Sequence, residues 1–213
     1  MRSQSETIYD ILKEKIVKGD YYPSEPLTEM DLSKQYNVSR NTVKKALLML
    51  EKENLVTIEQ NKGARVSSHS KDEILEFLEL RSVLEGFIVS KSIETFDEKG
   101  IDELKILLDT MKEHIANKDL LAYSKCNHRF HVAIYEACSN KTAVEMTIQL
   151  KNRMSKYNTK TILIPGRDQQ SFKEHTMIYE AIKAGNKKKA EDVMKTHIFN
   201  VRTVFSEYYS LLF

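Results

Sequence analysis

The chain of 213 residues has few of the residues that interrupt or cross-link a fold. It contains 6 Gly, 3 Pro, 2 Cys and no Trp. So few Gly and Pro disfavour a many-turned β architecture and favour long helices. The two cysteines, Cys126 and Cys138, form neither a disulfide framework nor a CxxC motif. We therefore expect a mainly α-helical protein in a reducing, cytoplasmic environment.

Long apolar runs are also missing. No stretch of the sequence approaches the roughly 20 apolar residues that are needed to cross a bilayer. The N-terminus lacks the charged and then apolar pattern of a signal peptide. The sequence therefore predicts no membrane partner.

The chain has almost no excess of positive charge. Its formal net charge is +2, and residues 1–70 carry 11 Lys and Arg against 10 Asp and Glu. A bulk electrostatic argument for nucleic-acid binding is therefore weak, and any basic surface must be local. The segment from Leu32 to Leu50 provides one, because it holds four basic residues and no acidic residue.

A helix that opens at Ser39 is the main feature of that segment. Ser39 is a suitable N-cap, since its hydroxyl accepts from backbone N–H groups that lack an intrahelical partner. Helical spacing gives one apolar face, formed by Val43, Ala46, Leu47 and Leu50. The first turns carry polar side chains on the other faces, at Arg40, Asn41, Thr42 and Lys44. This pattern is typical of a recognition helix, but a charged surface helix has the same pattern.

The flanking segments favour the first alternative. Capping-box spacing at Ser3–Glu6 and Thr28–Asp31 predicts two earlier helices. Two β-rich runs, 55–58 and 64–66, flank a turn with Gly63. Three helices followed by a hairpin predict a winged helix-turn-helix domain over residues 1–68, with a hairpin tip at Asn61, Lys62 and Gly63.

Residues 69–213 have a helical pattern almost throughout and predict an all-α bundle that also serves for dimerisation. The expected helices are 72–92, 97–117, 120–137, 141–161, 171–184 and 187–211. Residues 67–71 are short and polar and suit a hinge between the two domains.

Histidines are the candidate ligand residues of the bundle. Asn127 and His131 are spaced i, i+4 on one helix, and His175 and His197 lie on the last two helices. Three imidazoles and one oxygen would suit a divalent transition metal such as Zn, Ni or Mn. The alternatives are hydrogen-bonded core histidines or a metal-dependent enzyme, although no carboxylate or nucleophile stands at a telling spacing beside them.

Arg81 lies on an apolar helical stripe and should point inward, where a buried Arg needs an anionic partner. That partner is either a carboxylate of the bundle or the carboxylate of a bound effector. Arg153, beside Leu150 and Met154, is a second candidate for effector binding.

The segment from Ile8 to Val66 resembles the DNA-binding domain of GntR-family bacterial transcription regulators. The resemblance is carried by VSRNTVKKAL (38–47) and by NKGARV (61–66). It implies DNA contacts from the first turns of the third helix and from the wing, at Ser39, Arg40, Asn41, Thr42, Lys44, Asn61, Lys62 and Gly63. Many members of the family have Arg where this chain has Met30, so one cationic contact is missing.

Residues 72–211 are similar to the FCD ligand-binding domain of the FadR subfamily. The similarity is carried by ELRSVLEG (79–86), NHRFHVAIYEACSN (127–140), KEHTMIYEAIKAGN (173–186) and VMKTHI (193–198). Many FCD domains hold a metal through an Asp-x-x-x-His pair and two later histidines. The resemblance therefore implies a metal at Asn127, His131, His175 and His197, although Asn brings no charge where Asp is commoner.

Together, the patterns and the resemblance predict a homodimeric transcription regulator with three partners: a double-stranded DNA operator, a small-molecule carboxylate effector and a second copy of the chain. The resemblance to sensors of organic acids favours Arg81 as an effector ligand. The operator, the effector and the choice between repression and activation are not encoded in any motif. A protein–protein module with a helix-turn-helix that binds no DNA is a further alternative.

Overall fold

The structure, a computed structural model, describes residues 2–59, 63–154 and 161–212. The chain divides into two compact units. The first is Met1–Ser70 with Gln149–Asn158, and the second is Lys71–Ile148 with Thr159–Phe213. Within the described residues the protein is mainly helical, and the predicted fold class is confirmed.

Three helices open the first unit: α1 (Gln4–Lys18), α2 (Glu29–Tyr36) and α3 (Arg40–Lys52). Their N-caps are Ser3, Thr28 and Ser39, and each side chain accepts a hydrogen bond from a backbone N–H in the first turn. The capping signals therefore placed all three helix starts correctly.

A small antiparallel sheet completes the unit, with strands β1 (Pro26–Leu27), β2 (Val56–Glu59) and β3 (Gly63–Val66) in the order β1-β3-β2. The hairpin of β2 and β3 was predicted, whereas β1 was not. Pro26 is tolerated there because β1 is an edge strand, where one side needs no ladder hydrogen bond. Asn61 and Lys62, at the predicted wing tip, lie outside the described residues.

One apolar core joins the helices and the sheet. α1 contributes Ile8, Leu12 and Ile16, which are buried against the inner face of α3. That face consists of the four residues predicted from helical spacing, Val43, Ala46, Leu47 and Leu50. Because these residues are buried, the opposite side of α3 faces solvent.

The second unit is built from helices. They are α4 (Lys71–Ser92), α5 (Glu98–Ala116), α6 (Leu120–Ala137), α7 (Lys141–Arg153), α8 (Arg167–Lys183), α9 (Lys187–Glu207) and α10 (Tyr209–Leu212). The last residues of α7 belong to the first unit, and a 3₁₀ turn lies at Thr161–Leu163. α4 packs along α9, and α5 packs against α6 and α8. No helix in the described ranges combines the length and the apolar character that a membrane span requires.

Three helix boundaries differ from the prediction by several residues. The predicted helix 187–211 is divided into α9, which ends at Glu207, and the short α10. α7 ends at Arg153 rather than at Thr161, and residues 155–160 lie outside the described part of the chain. α8 begins one turn earlier than the predicted Ser171. It does so because Gly166 adopts a left-handed conformation (φ 80°) as the N-cap, which lets the helix start at Arg167.

Candidate nucleic-acid interface and metal centre

The N-terminal turns of α3 present polar side chains to solvent. Ser39, Arg40, Asn41 and Lys44 are exposed, and Thr42 is half-buried. Ser39 Oγ accepts from the backbone N–H of Thr42 at 3.1 Å and lies 2.8 Å from Thr42 Oγ1. These two side chains therefore stabilise the start of the helix in addition to any contact they make with a ligand.

The other polar side chains of this surface have no partner among the described residues. Among the described residues, Arg40, Asn41 and Lys44 take part in no side-chain hydrogen bond or ion pair. The first turn of α3 contains no acidic residue, so the partial positive charge of the helix N-terminus is not offset. An exposed helix end with free cationic and amide groups is suited to phosphates and base edges.

Met30 lies exposed on α2, with 45% of its surface accessible. Gly63 begins β3 with φ 83°, a backbone conformation that favours glycine at the end of a hairpin turn. Met30 supplies no charge to the surface of the first unit.

In the second unit, three of the predicted metal ligands come together from three helices. His131 on α6, His175 on α8 and His197 on α9 are all buried, and one ring nitrogen of each lies within 4.8 Å of the others. The Nε2 atoms of His131 and His175 are 3.2 Å apart. The ring centroid of His197 is 4.5 Å from that of His175 and 5.3 Å from that of His131.

The opposite nitrogen of each ring faces an oxygen. His175 Nδ1 donates to the carbonyl of Ser171 at 2.6 Å, and His197 Nδ1 donates to Glu174 Oε2 at 2.6 Å. His131 Nδ1 lies 3.0 Å from Glu85 Oε2. Contacts of this kind fix the tautomer and the ring orientation of metal-binding histidines.

The positions of the three histidine rings are suited to binding a cation. A backbone carbonyl only accepts, so the proton of His175 is on Nδ1 and the lone pair of Nε2 points at His131. Two lone pairs 3.2 Å apart repel each other unless a proton or a cation lies between them. Two imidazole ligands of a tetrahedral metal, each at about 2.0–2.1 Å, have nitrogens about 3.3 Å apart. Burial, together with the neighbouring His197 and His131, lowers the pKa of His175 well below its usual range, so the ring is in the neutral, ligating form.

Asn127 lies one turn before His131 on α6 and therefore on the same side of the helix. Its Oδ1 atom is buried and has no hydrogen-bond partner among the described residues. A buried oxygen without a donor is unusual, and a metal ion would satisfy it. The four predicted ligand positions are thus chemically consistent with a metal, although the Asn supplies no charge.

Arg81 has an intramolecular partner. Its Nε and Nη2 atoms donate to Oε1 of Glu85 at 2.9 and 2.6 Å, and the hydroxyl of Tyr135 donates to Oε2 of the same carboxylate at 2.6 Å. Glu85 is fully buried, so it needs this cation and the hydroxyl. Arg81 therefore stabilises the carboxylate that faces His131.

A second buried carboxylate, Glu174, supports His197. It accepts from Arg167 Nη2 at 2.9 Å and from Asn200 Nδ2 at 2.7 Å in addition to His197. Burial raises the pKa of its carboxyl group, but the contacts with His197 and Arg167 outweigh burial and leave the pKa below its ordinary value.

Sequence patterns did not identify Glu85, Glu174 or Arg167 as site residues. The spacing of Arg81 and Glu85, four apart on an inward-facing stripe, was the available signal for the first pair. Arg167 precedes the predicted helix start at Ser171, so the sequence pattern gives no helical register for Arg167. Arg153, the second effector candidate, is half-buried at the end of α7 and belongs to the first unit.

An open groove of about 540 Å³ lies between α8 and α9. Lys188, Lys189, Asp192 and Thr196 line it, and it reaches Glu174. The groove therefore borders the carboxylate that holds His197.

Two family models match the chain. Residues 4–66 match the bacterial regulatory proteins of the gntR family, and residues 76–200 match the FCD domain. The chain belongs to the GntR family and carries an FCD domain. The predicted family membership is confirmed.

Curated relatives of this GntR-family protein match it over almost their whole length. The transcriptional repressor GlaR of Escherichia coli K12 is 28% identical over 89% of this chain and 90% of its own. The regulator LutR of Bacillus subtilis is 27% identical over 91% and 97% of the two chains. The Uxu operon regulator of Haemophilus influenzae is 29% identical over 94% and 81%.

Solved structures share the fold of the GntR-family protein. Escherichia coli McbR/YncC superposes with a TM-score of 0.79 at 22% identity, covering 98% of this chain and 100% of that one. Lar of Listeria monocytogenes gives a TM-score of 0.68 at 21% identity, with 97% and 98% covered. The curated relatives are named as regulators or repressors. The protein is therefore a DNA-binding transcription regulator and not a metal-dependent enzyme.

Proposed function

We propose that this GntR-family regulator is a homodimeric repressor that binds a near-palindromic operator and is controlled by a small organic acid. One observation carries the proposal. At the capped N-terminus of α3, the side chains of Arg40, Asn41 and Lys44 are exposed and have no partner among the described residues. The curated name of GlaR as a repressor supports repression. DNA binding implies action in the bacterial cytoplasm.

In this proposal Arg40 reads the operator. Its guanidinium binds O6 and N7 of a guanine in the major groove, an interaction worth about 1–3 kcal/mol of discrimination. Ser39, Asn41, Thr42 and Lys44 position the helix on neighbouring bases and phosphates, and the wing residues Asn61, Lys62 and Gly63 contact the adjacent backbone. Dimerisation places two such helices on the two half-sites.

The variant Arg40→Ala tests the assignment. We expect its preference for operator over random DNA to fall at least about tenfold, because the base contact is lost while the phosphate contacts remain. The measurement is a gel shift at fixed salt with DNA that the wild type selects from a random pool. Arg129→Ala removes an equal charge from the surface of the second unit and is the matched control. Full retention of operator selectivity by Arg40→Ala contradicts the proposal.

The histidine cluster is proposed to hold a divalent transition metal (Zn, Ni or Mn) through His131, His175, His197 and Asn127. When bound, such an ion would supply a Lewis-acidic position for an oxygen of the effector. Glu85 and Glu174 orient two of the ligand rings, and burial keeps water away from the cluster. The sequence prediction of Arg81 and Arg153 as effector contacts stays a prediction, and Arg81 already donates to Glu85.

Elemental analysis of protein purified without chelator tests the metal. We expect close to one metal ion per chain in the wild type and a large loss in His175→Ala. His128→Ala changes an exposed histidine on α6 and is the control, which should keep the metal. A metal-free wild type that gains no stability from added Zn²⁺ or Ni²⁺ would support the alternative of hydrogen-bonded core histidines.

A further inference from the structure

Arg167 is a buried cation with spare hydrogen-bonding capacity. It is only 3% exposed, and its Nη2 atom is taken by Glu174. Its Nη1 atom is buried and has no partner among the described residues. An unsatisfied N–H on a buried charged group is costly, so a site for an acceptor is expected beside it.

Tyr123 presents a second unsatisfied group. It is fully buried, and its hydroxyl makes no hydrogen bond among the residues that the structure describes. Burial is the main cause that raises the pKa of Tyr123 to about 12, while the hydroxyl of Ser171 and the charge of Arg167 act in the opposite direction. The hydroxyl is therefore protonated, and Ser171 and Arg167 lie near it.

These two groups belong to the same interior as the histidines. On α6, Tyr123 is spaced i, i+4, i+8 with Asn127 and His131, and on α8, Arg167 has the same spacing with Ser171 and His175. Such residues share one side of a helix. The side chain of Arg167 extends two turns along α8 to Glu174, where it shares the Oε2 atom with His197.

The charges in this interior favour an anion beside Arg167. Glu174 is the carboxylate to which Arg167 is bonded, but it also accepts from His197 and Asn200. Arg81, by contrast, directs both Nε and Nη2 to the fully buried Glu85. A donor on Arg167 that points at no acceptor is thus better placed for a ligand than the donors of Arg81.

We propose that Arg167 Nη1 and the Tyr123 hydroxyl bind the carboxylate of the effector, while a second oxygen of the same molecule faces the histidine cluster. The ligand class is a compact acid with a further hydroxyl, oxo or carboxylate group. The inference deepens the proposed effector control and rests on it.

The test is thermal melting of the full-length protein, with zinc and after chelation, in the presence of glycolate, acetate, malonate or the uncharged glycolamide. We expect glycolate and malonate to raise the melting temperature of the wild type more than acetate does, and glycolamide to have no effect. In Tyr123→Phe and Arg167→Lys the apparent affinity for glycolate should fall about tenfold or more, since each loses one hydrogen bond to a charged group.

The stability of each variant, together with two control variants, separates a loss of binding from a loss of folding. Tyr123→Phe should leave the stability without ligand unchanged or slightly higher, because it removes a hydroxyl that has no partner. Arg167→Lys keeps a cation for Glu174, and if that variant does not fold, Tyr123→Phe carries the test alone. Tyr179→Phe and Arg129→Lys, elsewhere in the same unit, should bind glycolate as the wild type does.

Three outcomes of the ligand titrations would overturn the inference. They are a wild type that responds to none of the acids, an equal response to glycolamide, and glycolate affinity unchanged in both variants. A Tyr123→Phe protein that is less stable but binds glycolate normally also contradicts it, since the hydroxyl then serves the fold through ordered water. DNA binding and metal content, measured on the same samples, show whether the proposed function itself fails.

Discussion

At the scale of single residues, the proposed metal centre depends on side chains that are not themselves proposed ligands. His197 is oriented by Glu174, which is in turn held by Arg167 and Asn200. Partners of this kind raise the basicity of the ligand and fix its ring, and their loss typically costs about 10–100-fold in metal affinity.

We therefore expect Glu174→Gln to bind zinc about 10–100-fold more weakly than the wild type, measured by competition with a chromophoric chelator. The amide keeps the shape of the side chain but not its charge, so His197 and Arg167 lose their common anion. Glu180→Gln, exposed on the same helix, is the control. Wild-type zinc affinity in Glu174→Gln contradicts a supporting role for this carboxylate.

The same carboxylate gives a pH dependence to the metal-free protein. The pKa of Glu174 in the fold lies below its ordinary value, because His197 and Arg167 outweigh the effect of burial, so the native state favours the charged form. This contribution to stability is fully present above the unfolded pKa and is lost as the pH falls through the lower folded pKa. Urea unfolding of chelator-treated protein between about pH 6 and pH 3 should show a shallower acid loss for Glu174→Gln. An identical slope in the two proteins excludes this contribution.

Ser39 has two roles that substitutions can separate. As the N-cap of α3 it bonds the N–H of Thr42, so Ser39→Ala should cost about 1 kcal/mol of stability. Ser39→Asp keeps a cap but places a negative charge on the proposed phosphate contact. We expect chemical denaturation to show near wild-type stability for Ser39→Asp, and gel shifts to show weaker binding to DNA of any sequence. Undiminished DNA binding by this variant would remove Ser39 from the interface.

At the scale of helices and strands, local signals predicted most of the first unit. Ser3, Thr28 and Ser39 mark helix starts because their side chains satisfy N–H groups within the next turn, a purely local interaction. β1 could not be predicted in this way, since its pairing with β3 joins Leu27 to Ala64 across a long stretch of chain. Periodicity likewise placed His131, His175 and His197 on helices, but the approach of the three rings depends on tertiary packing.

The start of α8 shows how one glycine changes a site. The Pro165–Gly166 pair suggested a break before Ser171, yet Gly166 takes φ 80° and the helix begins at Arg167. This earlier start brings Arg167 into register with Ser171 and His175. Glu174 and Arg167 could not be recognised from sequence as partners of His197, because the contact joins two helices.

Gly166→Ala should therefore destabilise the protein by about 1–2 kcal/mol, the cost of a left-handed conformation for a residue with a Cβ atom. No atom lies within 4 Å of the position of an added Cβ, so the cost is conformational and not a clash. Gly166→Asn, which tolerates this conformation better, should cost less. Urea denaturation measures both variants, and equal stability of Gly166→Ala and the wild type would contradict the left-handed start of α8.

At the scale of the whole molecule, the proposed DNA contacts lie in the first unit and the histidine cluster in the second. Control of one by the other is then a coupling free energy between separate sites. An effector shifts operator affinity only if it binds the two states of the protein unequally. Repression that is relieved by the acid requires that the acid prefer the state that binds DNA poorly.

Such coupling is reciprocal. If the acid weakens operator binding by a given factor, operator DNA must weaken acid binding by the same factor, typically about 5–150-fold. We expect titration of zinc-loaded protein with glycolate, with and without saturating operator, to give the same ratio as operator titrations with and without glycolate. Tyr123→Phe should bind the operator as the wild type does but show a smaller shift at a fixed glycolate concentration. If the acid binds free and operator-bound protein with equal affinity, it does not act as the regulator of DNA binding.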